Sequence, residues 1–140
     1  MDTPYFKEYL KFKEYYNVMQ QWVVMLQKKI SLSEYLLRNG YKKIALYGMS
    51  DIGNCLAIEI KEDNKCDLLY AIDQGEPKLY TDIICIKLDE ISYYEKPDLI
   101  IITLPHIFQD IREKIALLCD CEIKSITEII YNACYNVRMD

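Results

Sequence analysis

One stretch limits the possible folds of this chain more than any other: an apolar run that halts at a glycine and restarts as a helical pattern, Lys43-Ile44-Ala45-Leu46-Tyr47-Gly48-Met49-Ser50-Asp51-Ile52-Gly53. It reads as a strand, a tight turn and a helix whose N-terminus faces that turn. A second apolar run, Leu68-Leu69-Tyr70-Ala71-Ile72, ends at Asp73, twenty residues after Gly53. In a dinucleotide-binding unit this is where the acid that accepts ribose hydroxyls stands. A third run, 99–102, has no polar residue at all. Strands of this kind are covered on both faces, as in a parallel sheet with helices above and below.

The rest of the pattern alternates accordingly. Strands are expected at 44–47, 68–73, 83–86, 99–103 and near 122–125, with helices at 52–61 and 108–118 and a last helix opened by the capping box Ser125-Ile126-Thr127-Glu128. The fold class is α/β, a mostly parallel five-stranded sheet of order 3-2-1-4-5 with helices on both faces. One step strains this reading. Only residues 74–82 join the second strand to the third, and a helical parallel crossover needs a dozen or more. Either the crossover is a bare loop or the third strand lies elsewhere.

A helical extension, 1–40, precedes the sheet-forming segment, 41–140. Thr3-Pro4 supplies a cap and a proline at the first helical position, and no glycine or further proline follows before residue 31, which predicts a helix over 4–30. Tyr5, Tyr9, Phe12, Tyr16, Met19, Val23, Leu26 and Ile30 recur at alternating spacings of four and three, a heptad seam that must be covered by something. A second set, Val18, Trp22, Val24 and Met25, widens the stripe, so the C-terminal half is expected to be the more buried. At about 1.5 Å per residue the helix should overhang a domain of this size. Ser31 to Glu34 has capping-box spacing and Asn39-Gly40 a stop signal, giving a short helix at 32–39.

Bulk properties exclude several function classes. A net charge of −5 counts against nucleic acid, whose binding requires a basic face. No apolar run approaches the roughly 20 residues of a membrane span, so no membrane insertion is expected. Met1-Asp2-Thr3-Pro4 has no basic-then-apolar signal pattern, so the expected compartment is the reducing cytoplasm, with the six cysteines free. Cys55, Cys85 and Cys134 fall inside apolar patterns, where a thiol packs as a small hydrophobe. Cys119-Asp120-Cys121 lacks the spacer of zinc knuckles, and with a single histidine no metal site is expected.

In a doubly wound sheet, ligands bind beyond the carboxyl ends of the strands where the winding reverses. That rule collects Gly48, Met49, Ser50, Asp51, Ile52 and Gly53 after the first strand, Asp73 after the second, and Thr103 and His106 after the fourth. Gly48 permits the tight turn, Gly53 permits close packing of the helix, and the amides between them point at an anion. Ser50 occupies the place of the usual middle glycine. Asp73 accepts two ribose hydroxyls and repels a 2′-phosphate, which favours NAD or a uridine nucleotide over NADP. Asp73-Gln74-Gly75 is equally a turn signal. His106 is the sole candidate general acid or base, with Asp110 as an orienting carboxylate; a solvated loop histidine is the plainer alternative.

The segments Tyr41 to Gly53, Tyr70-Ala71-Ile72-Asp73, Leu88-Asp89-Glu90-Ile91, Pro97 to Thr103 and Ser125 to Ile130 resemble the Rossmann-like domain of bacterial surface-polysaccharide proteins. The likeness spans about 41–130. It is similar to the N-terminal nucleotide-sugar-binding domain of sialic-acid and bacillosamine acetyltransferases and to modules that accompany glycosyltransferases. The resemblance implies contacts to a uridine nucleotide from the loop 48–53 and from Asp73. It also implies that the catalytic histidine of those enzymes is missing, because it belongs to a hexapeptide-repeat β-helix that this chain lacks. Two expectations follow: a module that holds NAD or a nucleotide-sugar and uses helix 4–30 to form a homodimer or dock on a glycan-synthesis enzyme, or a small NAD-dependent sugar-modifying enzyme working through His106. An interaction domain without a working nucleotide site is the third.

Overall fold

The computed structural model describes residues 3–135; residues 1–2 and the end of the 41–140 segment lie outside the described residues. Five parallel strands form one sheet: β1 (Lys43–Tyr47), β2 (Asp67–Ile72), β3 (Cys85–Ile86), β4 (Leu99–Ile102) and β5 (Glu122–Ser125), in the order β3-β2-β1-β4-β5. Around it lie α1 (Pro4–Gln27), α2 (Leu32–Arg38), α3 (Asp51–Asp63), α4 (Phe108–Ala116) and α5 (Ile126–Cys134).

Alternation along each strand divides the core in two. Ile44, Leu46, Leu99 and Ile101 face a layer of α1, α2, α3 and α5 through Met25, Leu36, Leu56 and Ile130. Ala45, Tyr47, Ile100 and Ile102 face the opposite layer, where α4 supplies Ile111 and Ile115 and a 3₁₀ turn at Leu88–Tyr93 supplies Leu88 and Ile91. Each fully buried aliphatic side chain contributes roughly 1.5–3 kcal/mol relative to exposure. The register slips between Ile44 and Ala45, which pair with Leu68 and Tyr70, so Leu69 is the extra residue of a bulge. The slip lets Leu69 and Tyr70 pack towards the same face. At the start of β1, Asp98 Oδ2 accepts the amides of Lys43 at 2.8 Å and Lys42 at 3.0 Å, and these bonds hold its carboxyl below the usual range.

Local signals explain most element ends. Thr3 Oγ1 accepts from the Phe6 amide and Ser31 Oγ from the Glu34 amide. Ser125 caps α5 through the Thr127 amide, while Glu128 pairs with Lys124 at 3.2 Å instead of closing a full capping box. Gly40 takes φ +90° after the short helix.

Three expectations need correction. The first helix stops at Gln27 rather than 30, because Lys29 adopts φ 59° and the amides of Lys29 and Ile30 bond back to Leu26 and Met25. That is a Schellman stop made with lysine instead of glycine. The third strand is two residues long, not four, and the crossover to it is a bare loop, with Leu79 and Ile83 as its anchors on the core. The heptad seam of α1 is not the buried face: Val18, Trp22 and Met25 are, and Trp22 Nε1 donates to Glu59 Oε1 of α3 at 2.6 Å. Among the described residues no helix is long and apolar enough to cross a membrane.

Candidate functional site

The turn after β1 is built by contacts that only glycine permits. Gly48 has φ +100° and its amide bonds the Ile72 carbonyl at 2.8 Å, locking the turn to the end of β2. A Cβ on Gly53 would lie 1.9 Å from the Gly48 carbonyl oxygen, so the first turn of α3 rests directly on the turn's backbone. Below them is Thr103, fully buried, whose hydroxyl donates to the carbonyls of Tyr47 and Gly48. Thr103 therefore supports the loop from beneath rather than facing a ligand.

Above the turn, α3 begins at Asp51 with Ser50 as its N-cap, and the Ser50 side chain makes no capping bond. The first amides of the helix therefore receive no bond from the side chain of their N-cap residue, at the positive end of the helix dipole. Ser50 and Asp51 are exposed, whereas Met49, Ile52 and Gly53 are buried and contribute backbone alone.

Asp73 is half-buried beside this loop and already has work. Its Oδ2 accepts from the Met49 amide and its Oδ1 from the Gly75 amide, both at 2.8 Å. Each carboxylate oxygen keeps a second lone pair. The turn reading and the ligand reading of Asp73 are thus compatible in one geometry. Asp73, Glu76, Pro77 and Lys78 form one wall of an open cleft, and Met49, Ser50 and Asp51 form the other.

Sequence reasoning missed the residue that holds the two walls together. Asn54, 3% exposed, donates from Nδ2 to the carbonyls of Met49 at 3.0 Å and Lys78 at 3.0 Å, with Ser50 at 3.1 Å, and accepts the Tyr80 amide through Oδ1 at 3.0 Å. A polar residue in the second turn of an otherwise apolar-faced helix was the available signal. Its partners 24 and 26 residues away were not.

His106 lies apart from this cleft's walls. It is exposed, in a 3₁₀ turn at Pro105–Ile107, with its ring edge-on to Tyr15 of α1 at 5.6 Å. The charges that act on it, Lys11, Glu14 and Glu8, come from α1, not from the expected Asp110. Partial burial, and then Lys11, lower its pKa below the ordinary 6.5. A lowered histidine loses its proton early, so its native form is neutral at pH 7, and as pH falls the unfolded chain binds the proton first. Because the chain has one histidine, an NMR titration of its imidazole reads this directly. The midpoint is expected below 6.5 and should rise, without reaching 6.5, in Lys11→Gln; a midpoint above 6.5 in the native protein would contradict the packing against α1.

All six cysteines are free. Cys134 is buried as expected, but Cys55 is exposed on α3, contrary to the apolar-pattern reading. Cys119 and Cys121 approach to 3.5 Å between sulfurs, and burial pushes the Cys121 thiol up to about 12. Such a thiol is protonated and unreactive at neutral pH.

In comparisons with known proteins, no family model matches the chain and no curated protein is significantly similar to it.

Proposed function

We propose that the protein is a Rossmann-like module that binds a nucleotide or nucleotide-sugar of the NAD or UDP type in glycan biosynthesis, acting beside a partner that performs the chemistry. The observation that carries this reading is the close seat of Gly53 on the Gly48 carbonyl, which sets the uncapped N-terminus of α3 beside Asp73. In this reading a pyrophosphate takes the first amides of α3, and the ribose hydroxyls donate to the remaining lone pairs of Asp73. The resemblance to polysaccharide-biosynthesis modules adds the ligand class.

The cleft's charges shape the expectation. Asp51, Asp73 and Glu76 line it against Lys78, so net electrostatics oppose a polyanion and the amides must supply the attraction. Ser50 further keeps a pyrophosphate from the close approach that a glycine permits. Affinity should therefore be modest and fall with each added phosphate. His106, turned to Tyr15, lends no support to a proton-transfer role at this cleft.

Calorimetric titration of the full chain with NAD, NADP, UDP and a UDP-sugar tests the reading. Micromolar to submillimolar binding of NAD or a UDP species, with NADP at least tenfold weaker, is the expected result. Silence from all four at millimolar concentration would refute it.

A further inference from the structure

Helix α1 carries two apolar faces, and the fold uses one. Val18, Trp22 and Met25 are buried, whereas the heptad seam lies roughly 120° around the helix at 3.6 residues per turn. Tyr9, Phe12, Tyr16, Met19, Val23 and Leu26 are 57, 59, 69, 37, 50 and 53% exposed. An aromatic and aliphatic row of this length is uncommon on the surface of a monomer.

The row is a ridge between two grooves. One groove runs between α1 and α3, walled by Trp22, Cys55 and Ile58; the other follows the opposite flank of α1 along Gln20, Val24 and Gln27. A ridge flanked by grooves on one surface is shaped to receive a copy of itself, as knobs enter holes in a coiled coil.

Charge identifies the occupant and its direction. With Tyr9, Tyr16 and Val23 as a positions and Phe12, Met19 and Leu26 as d, Glu8 occupies g and Lys13 the e position five residues later. In a parallel, in-register pair these two positions meet across the interface, and symmetry makes the ion pair twice. An antiparallel pair sets g against g and loses both. The remaining flanking positions are uncharged: Tyr15 and Trp22 turn into the protein's own core, and Gln20 and Gln27 rim the seam.

The surface suffices. Four seam aromatics, counting Tyr5, bury about 150–250 Å² each when fully covered. Given their partial exposure, and with Met19, Val23 and Leu26 added, the area per copy reaches the order of the 800 Å² that a stable complex needs.

We propose that α1 is a self-association surface, through which two copies of this chain pair as a parallel, in-register two-stranded coil with Ile58 of α3 at its edge. The proposal is independent of what the cleft binds.

Light scattering and sedimentation of the full chain at micromolar concentration should report twice the 16.6 kDa chain mass. Tyr16→Glu with Val23→Glu should give a monomer with unchanged circular dichroism, because both sites are solvent-exposed in the single chain. Glu8→Lys alone and Lys13→Glu alone should each raise the dissociation constant about tenfold, and an equimolar mixture of the two should restore native affinity. Phe12→Cys in a Cys55→Ser background should cross-link on oxidation, since only a parallel register brings two d positions face to face. A strictly monomeric native chain, or a dimer that survives Tyr16→Glu with Val23→Glu, would overturn the interface. A dimer that neither cross-links nor shows charge-swap rescue would overturn the parallel register.

Discussion

Alanine at position 53 is expected to destabilise the protein by about 3 kcal/mol or more, the upper end of what overpacking costs. The sign is what makes this informative. In a helix interior, replacing glycine by alanine ordinarily stabilises by about 1 kcal/mol through propensity. Here the new methyl would lie 1.9 Å from the Gly48 carbonyl oxygen and 2.9 Å from its carbon, both backbone atoms that no rotamer change can move. Relief requires α3 to lift from β1, and that lift also breaks the layer formed by Ile52, Leu56 and Ile60. Gly75→Ala is the matched control. Its Cβ would meet nothing closer than Asp73 Oδ1 at 3.4 Å, so a change within about 0.5 kcal/mol is expected, as for an ordinary surface site. Urea denaturation of both variants gives the comparison. A Gly53→Ala protein as stable as the native one would mean that the helix does not rest on the turn, and the nucleotide reading would lose its main support.

The sheet was legible because its signals are local. Ile44 to Tyr47 and Leu99 to Ile102 are too apolar for a one-faced sheet, and Gly48 and Gly53 mark where a strand must turn and a helix must approach. Serines at 31 and 125 announce helix starts by a bond to an amide two or three residues on. What was hidden depends on contacts between distant segments. Periodicity revealed two apolar stripes on α1, but only the position of α5 and α3 decides that Trp22 and Met25 face inward while Tyr16 and Val23 do not. The stop at Lys29 carried no glycine to announce it. At the cleft, Asp73 stood out from its strand-end position, yet its bond to the Met49 amide could not be read from either residue. Topology puts His106 in the same crevice, but its ring packs on Tyr15 of α1 instead.

Asn54 concentrates that long-range information in one side chain, and its replacement should be nearly as damaging as that of Gly53. The assignment of its amide is fixed by its neighbours: the Tyr80 amide needs an acceptor, and the carbonyls of Met49 and Lys78 need donors. Asn54→Ala takes this partner from the buried Met49 carbonyl and from the part-buried Lys78 carbonyl and Tyr80 amide, at a cost of about 3 kcal/mol given 1–3 kcal/mol for each unsatisfied group and partial relief by water. Asn54→Asp keeps the shape but turns a carboxylate oxygen towards carbonyl oxygens, so it should be at least as destabilising at pH 7 and should recover as acid protonates the new side chain. The two variants thus separate lost packing from lost donation. Both release the 73–84 crossover from α3, and hydrogen exchange locates the effect: the Tyr80 amide, bonded in the native protein, should exchange at the rate of an open loop while amides of β1 and β4 keep their protection. A ligand held between the two walls should then bind at least tenfold more weakly, because the wall carrying Glu76 and Lys78 would have to be ordered at the moment of binding. Unchanged protection at Tyr80 in Asn54→Ala would show that the crossover is anchored by Leu79 and Ile83 alone, and the cleft would then owe its shape to apolar packing rather than to this amide.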